Sequence, residues 1–165
     1  MTTAPTLHRR SLLKFGLGAS LFLGTASLVA CSADTPASGY QTIRSSDLPA
    51  LRALLASIVP GAASEPALRQ LDHNLGALSP AMLGLTRQLF DVLSLPLTRG
   101  PLTGIWGAWE NAEPAQVQRF LQRWEHSALD MLRQGHAALL QLTLMAWYET
   151  PASWATCGYP GPPKI

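Results

Sequence analysis

Two thiols and three histidines are the side chains in this sequence best suited to covalent or metal chemistry, and their spacing limits what each can do. Cys31 and Cys157 lie at opposite ends of the chain. They give no Cys-x-x-Cys redox pair, no Cys-x-x-Cys-His haem attachment and no zinc set. His73, His126 and His136 are the histidines beyond the N-terminal segment. They show neither His-x-x-x-His nor Glu-x-x-His spacing. His126 and Asp130 form an i,i+4 pair, which reads as a solvated helix face, and Glu125 beside them does not complete a metal site. There is no Gly-x-Gly-x-x-Gly, which excludes the usual dinucleotide fingerprint. Nothing marks out a Ser-His-Asp set. The expectation is a chain without catalytic, cofactor-binding or metal-binding residues of its own.

Cys31 has a different chemistry open to it. Leu28-Val29-Ala30-Cys31 matches the lipobox of bacterial lipoproteins, in which the thiol is diacylated and the chain is cut just before it. Acyl chains contribute about 0.8 kcal/mol per buried CH₂, so several of them give a stable membrane anchor. Upstream, Arg9-Arg10 is followed by Leu12, Leu13 and Lys14, then by an uncharged run from Phe15 to Ala30. The pattern reads as a twin-arginine export signal. Gly16, Gly18 and Gly24 keep the run only mildly apolar, and it is short for a membrane-spanning anchor, which needs roughly 20 residues. Residues 1–30 are therefore expected to be a signal peptide. Residues 31–45, rich in Ser, Ala, Pro and Gly, are expected to be a flexible tether.

Composition supports one folded domain after the signal. The chain has 165 residues, of which 47% are hydrophobic and 13% charged. The formal charge of +2 is misleading, because Arg9, Arg10 and Lys14 fall in the signal. Without those three, 9 basic residues face 10 acidic ones from Ser32 onward, a net charge near −1. The sequence pI of 8.8 therefore gives no support for nucleic-acid binding.

The elements beyond residue 45 read as helices. Ser46 precedes Asp47-Leu48-Pro49 as an N-cap. Leu48, Leu51, Leu54, Leu55 and Ile58 then share a face, and Pro60-Gly61 ends the helix. Ser64 opens a second helix with Leu68, Leu71 and Leu75, closed by Gly76. Ser79-Pro80 sets a cap beside an N1 proline for a third, carrying Leu83, Leu85, Leu89, Phe90 and Leu93. Pro96 to Thr103 reads as a loop, followed by a short aromatic piece with Trp106 and Trp109 at helical spacing. From Pro114, apolar residues step by three or four through Val117, Leu121, Trp124, Ala128, Met131, Leu139, Leu142 and Ala146. That is one helix, or two with a bend at Gly135. No alternating run argues for a strand. The expected class is all-α, a bundle of about five or six helices over 46–165.

The last stretch organises the rest. Ala137 to Tyr148 is almost unbroken apolar sequence, so it reads as the central core helix, ended by Pro151. Trp124 and Trp147 read as core. Trp154, Cys157, Tyr159, Pro160 and Pro162 sit on a Pro/Gly-rich tail, 150–165, that is expected to be irregular and to dock against a partner.

Trp147, Tyr148, Pro151, Trp154 and Gly158-Tyr159-Pro160-Gly161-Pro162-Pro163 carry a family resemblance. They resemble the small subunit of periplasmic flavin dehydrogenases, of the gluconate 2-dehydrogenase subunit 3 type. Leu55 to Gly61, LASIVPG, is similar to the helix end of that family that closes on Ile-Pro-Gly. The resemblance implies a non-catalytic escort subunit. Its partner would be a large subunit of the glucose-methanol-choline type, which carries the FAD and lacks an export signal. The pair would cross by the twin-arginine translocase, and a cytochrome c would take the electrons. The expected location is the periplasmic side of the envelope, with the chain held there by lipid. The alternative is a stand-alone helical envelope lipoprotein, acting as adaptor or ligand-binding module.

Overall fold

In the computed structural model the residues described are 35–59, 61 and 64–161. Arg9, Arg10, Leu12, Leu13 and Lys14 of the expected export signal, Cys31 of the expected lipidation site, and Pro162 lie outside them. From Pro36 on the chain belongs to one compact unit.

Seven α-helices occur among the described residues: α1 Leu48–Ile58, α2 Ser64–Gly76, α3 Pro80–Ser94, α4 Pro96–Thr103, α5 Pro114–Glu125, α6 Asp130–Tyr148 and α7 Pro151–Cys157, with a one-turn 3₁₀ helix at Trp109–Asn111 between α4 and α5. The all-α class holds. The sequence reading of about five or six helices leaves out α4 and α7, the pieces richest in proline for their length. Pro96–Thr103 is a helix and not a loop, because Pro96 takes the first position and Gly104 closes it with φ 75°. Pro101 inside it removes one N–H, at a point where the helix lies at the surface and Leu97 is 73% exposed. The tail is likewise not irregular throughout, since Pro151 both ends α6 and starts α7.

The core is built around α1, which packs against α2, α5, α6 and the 3₁₀ turn. Leu51, Leu54 and Leu55 meet Leu68, Leu71 and Leu75 of α2, Phe90 and Leu93 of α3, and Val117, Phe120, Leu121 and Trp124 of α5 in one apolar cluster. Trp109 is buried there, and its indole N–H donates to the Leu93 carbonyl at 2.8 Å. Trp106, three residues earlier, lies outside any helix and is 76% exposed. Trp124 and Trp147 are core residues, as expected.

α6 departs from the expectation of a fully buried central helix. It buries Leu139, Thr143, Ala146 and Trp147, while Met131, Met145 and Tyr148 stand exposed. It is also separate from α5. The break falls at 126–129 and not at Gly135, which lies within α6. Gly135 serves close packing, because a Cβ there would stand 2.7 Å from the Trp124 ring.

The segment expected as a tether is part of the body from Pro36 onward. Pro36 and Arg44 form an isolated antiparallel bridge, and Ala37, Ile43 and Arg44 are buried. A turn with Gly39 at φ 84° reverses the strap. The Asp72 carboxylate on α2 then accepts the backbone N–H groups of Gln41, Thr42 and Ile43 at 2.7, 2.8 and 2.8 Å. Arg44 fixes the other end. It donates to Asp47 through Nε at 2.8 Å and pairs with Asp91 of α3 at 2.7 Å. Burial pulls the Arg44 pKa down, but Asp47 and Asp91 outweigh it and hold the guanidinium above its ordinary value. The N-cap of α1 is accordingly Asp47 and not Ser46, and the Asp47 carboxylate serves Arg44 in place of the helix N–H groups.

Three substitutions test this frame. Asp72→Ala leaves three N–H groups of the strap without their acceptor and should lower unfolding free energy in urea by about 3 kcal/mol. Gly135→Ala gains roughly 1 kcal/mol of helix propensity but drives a methyl group into Trp124, so it should be net destabilising by about 1–2 kcal/mol. Gly84→Ala in α3, where a Cβ meets nothing within 4 Å, should be stabilising by up to about 1 kcal/mol. If both alanine variants were stabilising to the same degree, the close approach at Gly135 would be wrong.

Candidate functional site

The C-terminal end of α6 and the module that follows it gather most of the residues singled out in the tail. Thr150 and Ser153 are buried and hold the corner. Thr150 Oγ1 donates to the Trp147 carbonyl at 2.6 Å. Ser153 Oγ donates to the Thr150 carbonyl at 2.8 Å, while Trp154 Nε1 donates to the Tyr148 carbonyl at 3.1 Å. The last carbonyls of α6 thus receive side-chain donors from α7, and the corner is fixed without a large core of its own. Gly158 turns the chain at φ 67°, and the Tyr159 N–H returns to the Trp154 carbonyl at 2.9 Å. The turn sets Trp154 and Tyr159 edge to face, with centroids 5.8 Å apart at 83°. Gly161, at φ 95°, sits over the same indole.

Trp154 is half-buried, and Cys157, Tyr159 and Pro160 are exposed. Cys157 is a free thiol. The module therefore presents an ordered aromatic pair with a thiol one turn from the indole. Along α6, exposed Met145 and Tyr148 lie three residues apart and so on one face. Met145 also lines an apolar groove of ≈ 280 Å³ between α2, α3 and α6, with Leu78, Met82, Ala138 and Leu142. Glu149 ties the end of α6 to α2 by accepting from Gln70 at 3.0 Å and Asn74 at 2.6 Å.

The histidines are not brought together. His73 is in the last turn of α2. His126 is the C-cap of α5, where its Nδ1 lies 2.9 Å from the Gln122 carbonyl and 3.7 Å from Glu125. Asp130 begins the next helix and pairs with Arg133, so the expected His126–Asp130 pair does not form on one helix face. His136 shares a shallow pocket with Ser57 and Glu125, and no hydrogen bond among the described residues joins these three. Among the described residues no group of three or more His, Cys, Asp or Glu is placed to hold a metal ion, and no helix is long and apolar enough to cross a membrane.

Sequence reasoning missed the strap residues Arg44 and Asp72. It also missed the groove, because the almost unbroken apolar run from Ala137 to Tyr148 does not say which of its residues face out. The exposed Cys157 gives a direct check. Native protein should be alkylated at Cys157 by iodoacetamide without denaturant, at a rate close to that of an unfolded peptide; protection from the reagent would mean that the module is covered.

No protein-family model, curated protein or solved structure matches the chain.

Proposed function

We propose that this chain is the non-catalytic small subunit of a membrane-associated flavin dehydrogenase, supplying the twin-arginine export signal and a docking face for an FAD-bearing large subunit. The observation that carries this reading is a coincidence of residues. Tyr148, Trp154, Tyr159 and Pro160 bear the sequence resemblance to the gluconate 2-dehydrogenase subunit 3 type, and all four are at least partly exposed on an ordered module. Aromatic side chains held rigid at a surface suit a partner interface, since they supply contact area with little entropy to lose. A twin-arginine signal serves proteins that fold before export, usually around a cofactor. In this reading the cofactor is the partner's FAD, and a cytochrome c accepts the electrons. Acylated Cys31 holds the pair on the periplasmic side of the envelope.

The second reading, a stand-alone helical envelope lipoprotein, draws on the apolar groove between α2, α3 and α6, which has the lining of a ligand or adaptor site.

Replacing Arg9 and Arg10 together by lysine keeps the charge and changes the hydrogen-bonding geometry. Fractionation and immunoblotting should then show both this chain and the flavoprotein retained in the cytoplasm. Deleting residues 150–165 should strand the flavoprotein alone, because the signal survives and the docking module is gone. A flavoprotein that still reaches the periplasm in the double-lysine strain would leave the stand-alone lipoprotein as the remaining reading.

A further inference from the structure

Four arginines of the described body are matched to carboxylates: Arg44 to Asp47 and Asp91, Arg52 and Arg69 to Glu65, and Arg133 to Asp130. Arg99, Arg119 and Arg123 have no carboxylate partner among the described residues, and the last two sit together. Arg119 and Arg123, one turn apart on α5, line a single cavity of ≈ 480 Å³ against the end of α4. Arg99 stands one turn before Thr103, which lines the same cavity, and its Nε is shielded from solvent with no hydrogen-bond partner among the described residues. Gln116 and Gln122 add amide donors to the wall, and no carboxylate among the described residues lines it.

One of these arginines is held in place before any ligand arrives. Arg123 Nη2 donates to the Leu102 carbonyl at 3.0 Å, and the Trp124 indole N–H shares that acceptor at 2.9 Å. The guanidinium lies against Gly104, where a Cβ would stand 3.0 Å from Nη2 and 3.1 Å from Nη1. Gly104 has φ 75°, so only a residue without Cβ meets both demands. A guanidinium fixed through one N–H keeps its other donors for a ligand, with little side-chain entropy left to lose.

We infer that the cavity between α4 and α5 binds a phosphate group, gripped by Arg119 and Arg123 and assisted by the side-chain amides of Gln116 and Gln122. Phosphate suits it because paired guanidinium forks match its several oxygens and its charge. An acid-free wall imposes no like-charge penalty on such a ligand. The source is either a soluble phosphate compound or an anionic lipid headgroup, which a chain anchored through Cys31 would meet at the membrane surface. The site does not depend on the escort reading.

The test uses the full chain, solubilised in neutral detergent and labelled with ¹⁵N-arginine. The probes are inorganic phosphate, short-chain phosphatidylglycerol and short-chain phosphatidylcholine. Phosphate should shift the Nε–Hε resonances of Arg119 and Arg123 in a saturable way, leaving Arg52 and Arg69 unmoved. A lipid source adds a tighter response to phosphatidylglycerol than to phosphatidylcholine; a soluble source gives the phosphate response alone. Arg119→Gln, at an exposed position that makes no bond the fold needs, should weaken binding about tenfold. Shifts that sodium chloride reproduces at equal ionic strength, or that all arginines share, would overturn the proposal. So would binding unchanged in Arg119→Gln.

Discussion

The fold depends on a carboxylate that closes three backbone hydrogen bonds at once. Asp72 takes the N–H groups of residues 41, 42 and 43, which form no helix and pair with no sheet. These N–H groups, of which that of Ile43 is buried, would otherwise be costly to leave unpaired. With them satisfied, Ile43 can enter the core at 1% exposure, and the next residue, Arg44, reaches the start of α1 and the side of α3. The charge of Arg44 is tolerable in that position because Asp47 and Asp91 both face it. The strap therefore links α1, α2 and α3 through polar contacts at a place where their leucines alone would leave the relative angles open. Polar contacts specify geometry here, and apolar burial supplies the driving force.

A bundle fixed in this way can leave α6 incompletely covered. Its inner side, from Leu139 through Thr143 to Ala146 and Trp147, is buried, and the close approach at Gly135 lets it sit tightly on Trp124. The opposite side keeps Met145 and Tyr148 at the surface, and Met145 shares the apolar groove with Met82 of α3. Methionine on such a surface is adaptable, since its unbranched chain can repack against different shapes.

The helices that carry a clear period and a clear stop were legible from the sequence: α1, α2 and α3 begin and end within a residue or two of their caps and prolines. The differences have separate causes. Pro96 and Pro151 look like breakers in the sequence, although a proline at the first position of a helix is well tolerated, and short helices of this kind need only a glycine in the left-handed region to close. The break between α5 and α6 was invisible because the apolar period runs straight through Ala128; the chain interrupts its hydrogen bonds there without interrupting its pattern. Asp72 and Arg44 were not found because long-range polar contacts leave no local signature. The exposure of Cys157 and Tyr159 was legible from the composition of the tail, but the half-burial of Trp154 and its geometry with Tyr159 depend on Gly158 and on donors returning to α6.

The architecture of α6 and α7 separates what holds the body from what faces outward. Trp147 and Tyr148 are neighbours in sequence, yet Trp147 is 6% exposed and Tyr148 is 53% exposed. The Trp147 ring contributes to the core, and its carbonyl receives Thr150. The Tyr148 carbonyl receives Ser153 and Trp154 while its ring stays out. The corner is thus ordered entirely through backbone acceptors, which any residue supplies, and the ring at 148 is left free of structural duty. The same holds at Tyr159, whose N–H returns to Trp154 while its ring only leans on the indole. Aromatic rings kept at a surface by a scaffold that does not need them represent apolar area the fold could have replaced by polar side chains at no cost to its own hydrogen bonds. Held rigid on an ordered corner, they offer the apolar contact area on which the proposed docking face rests.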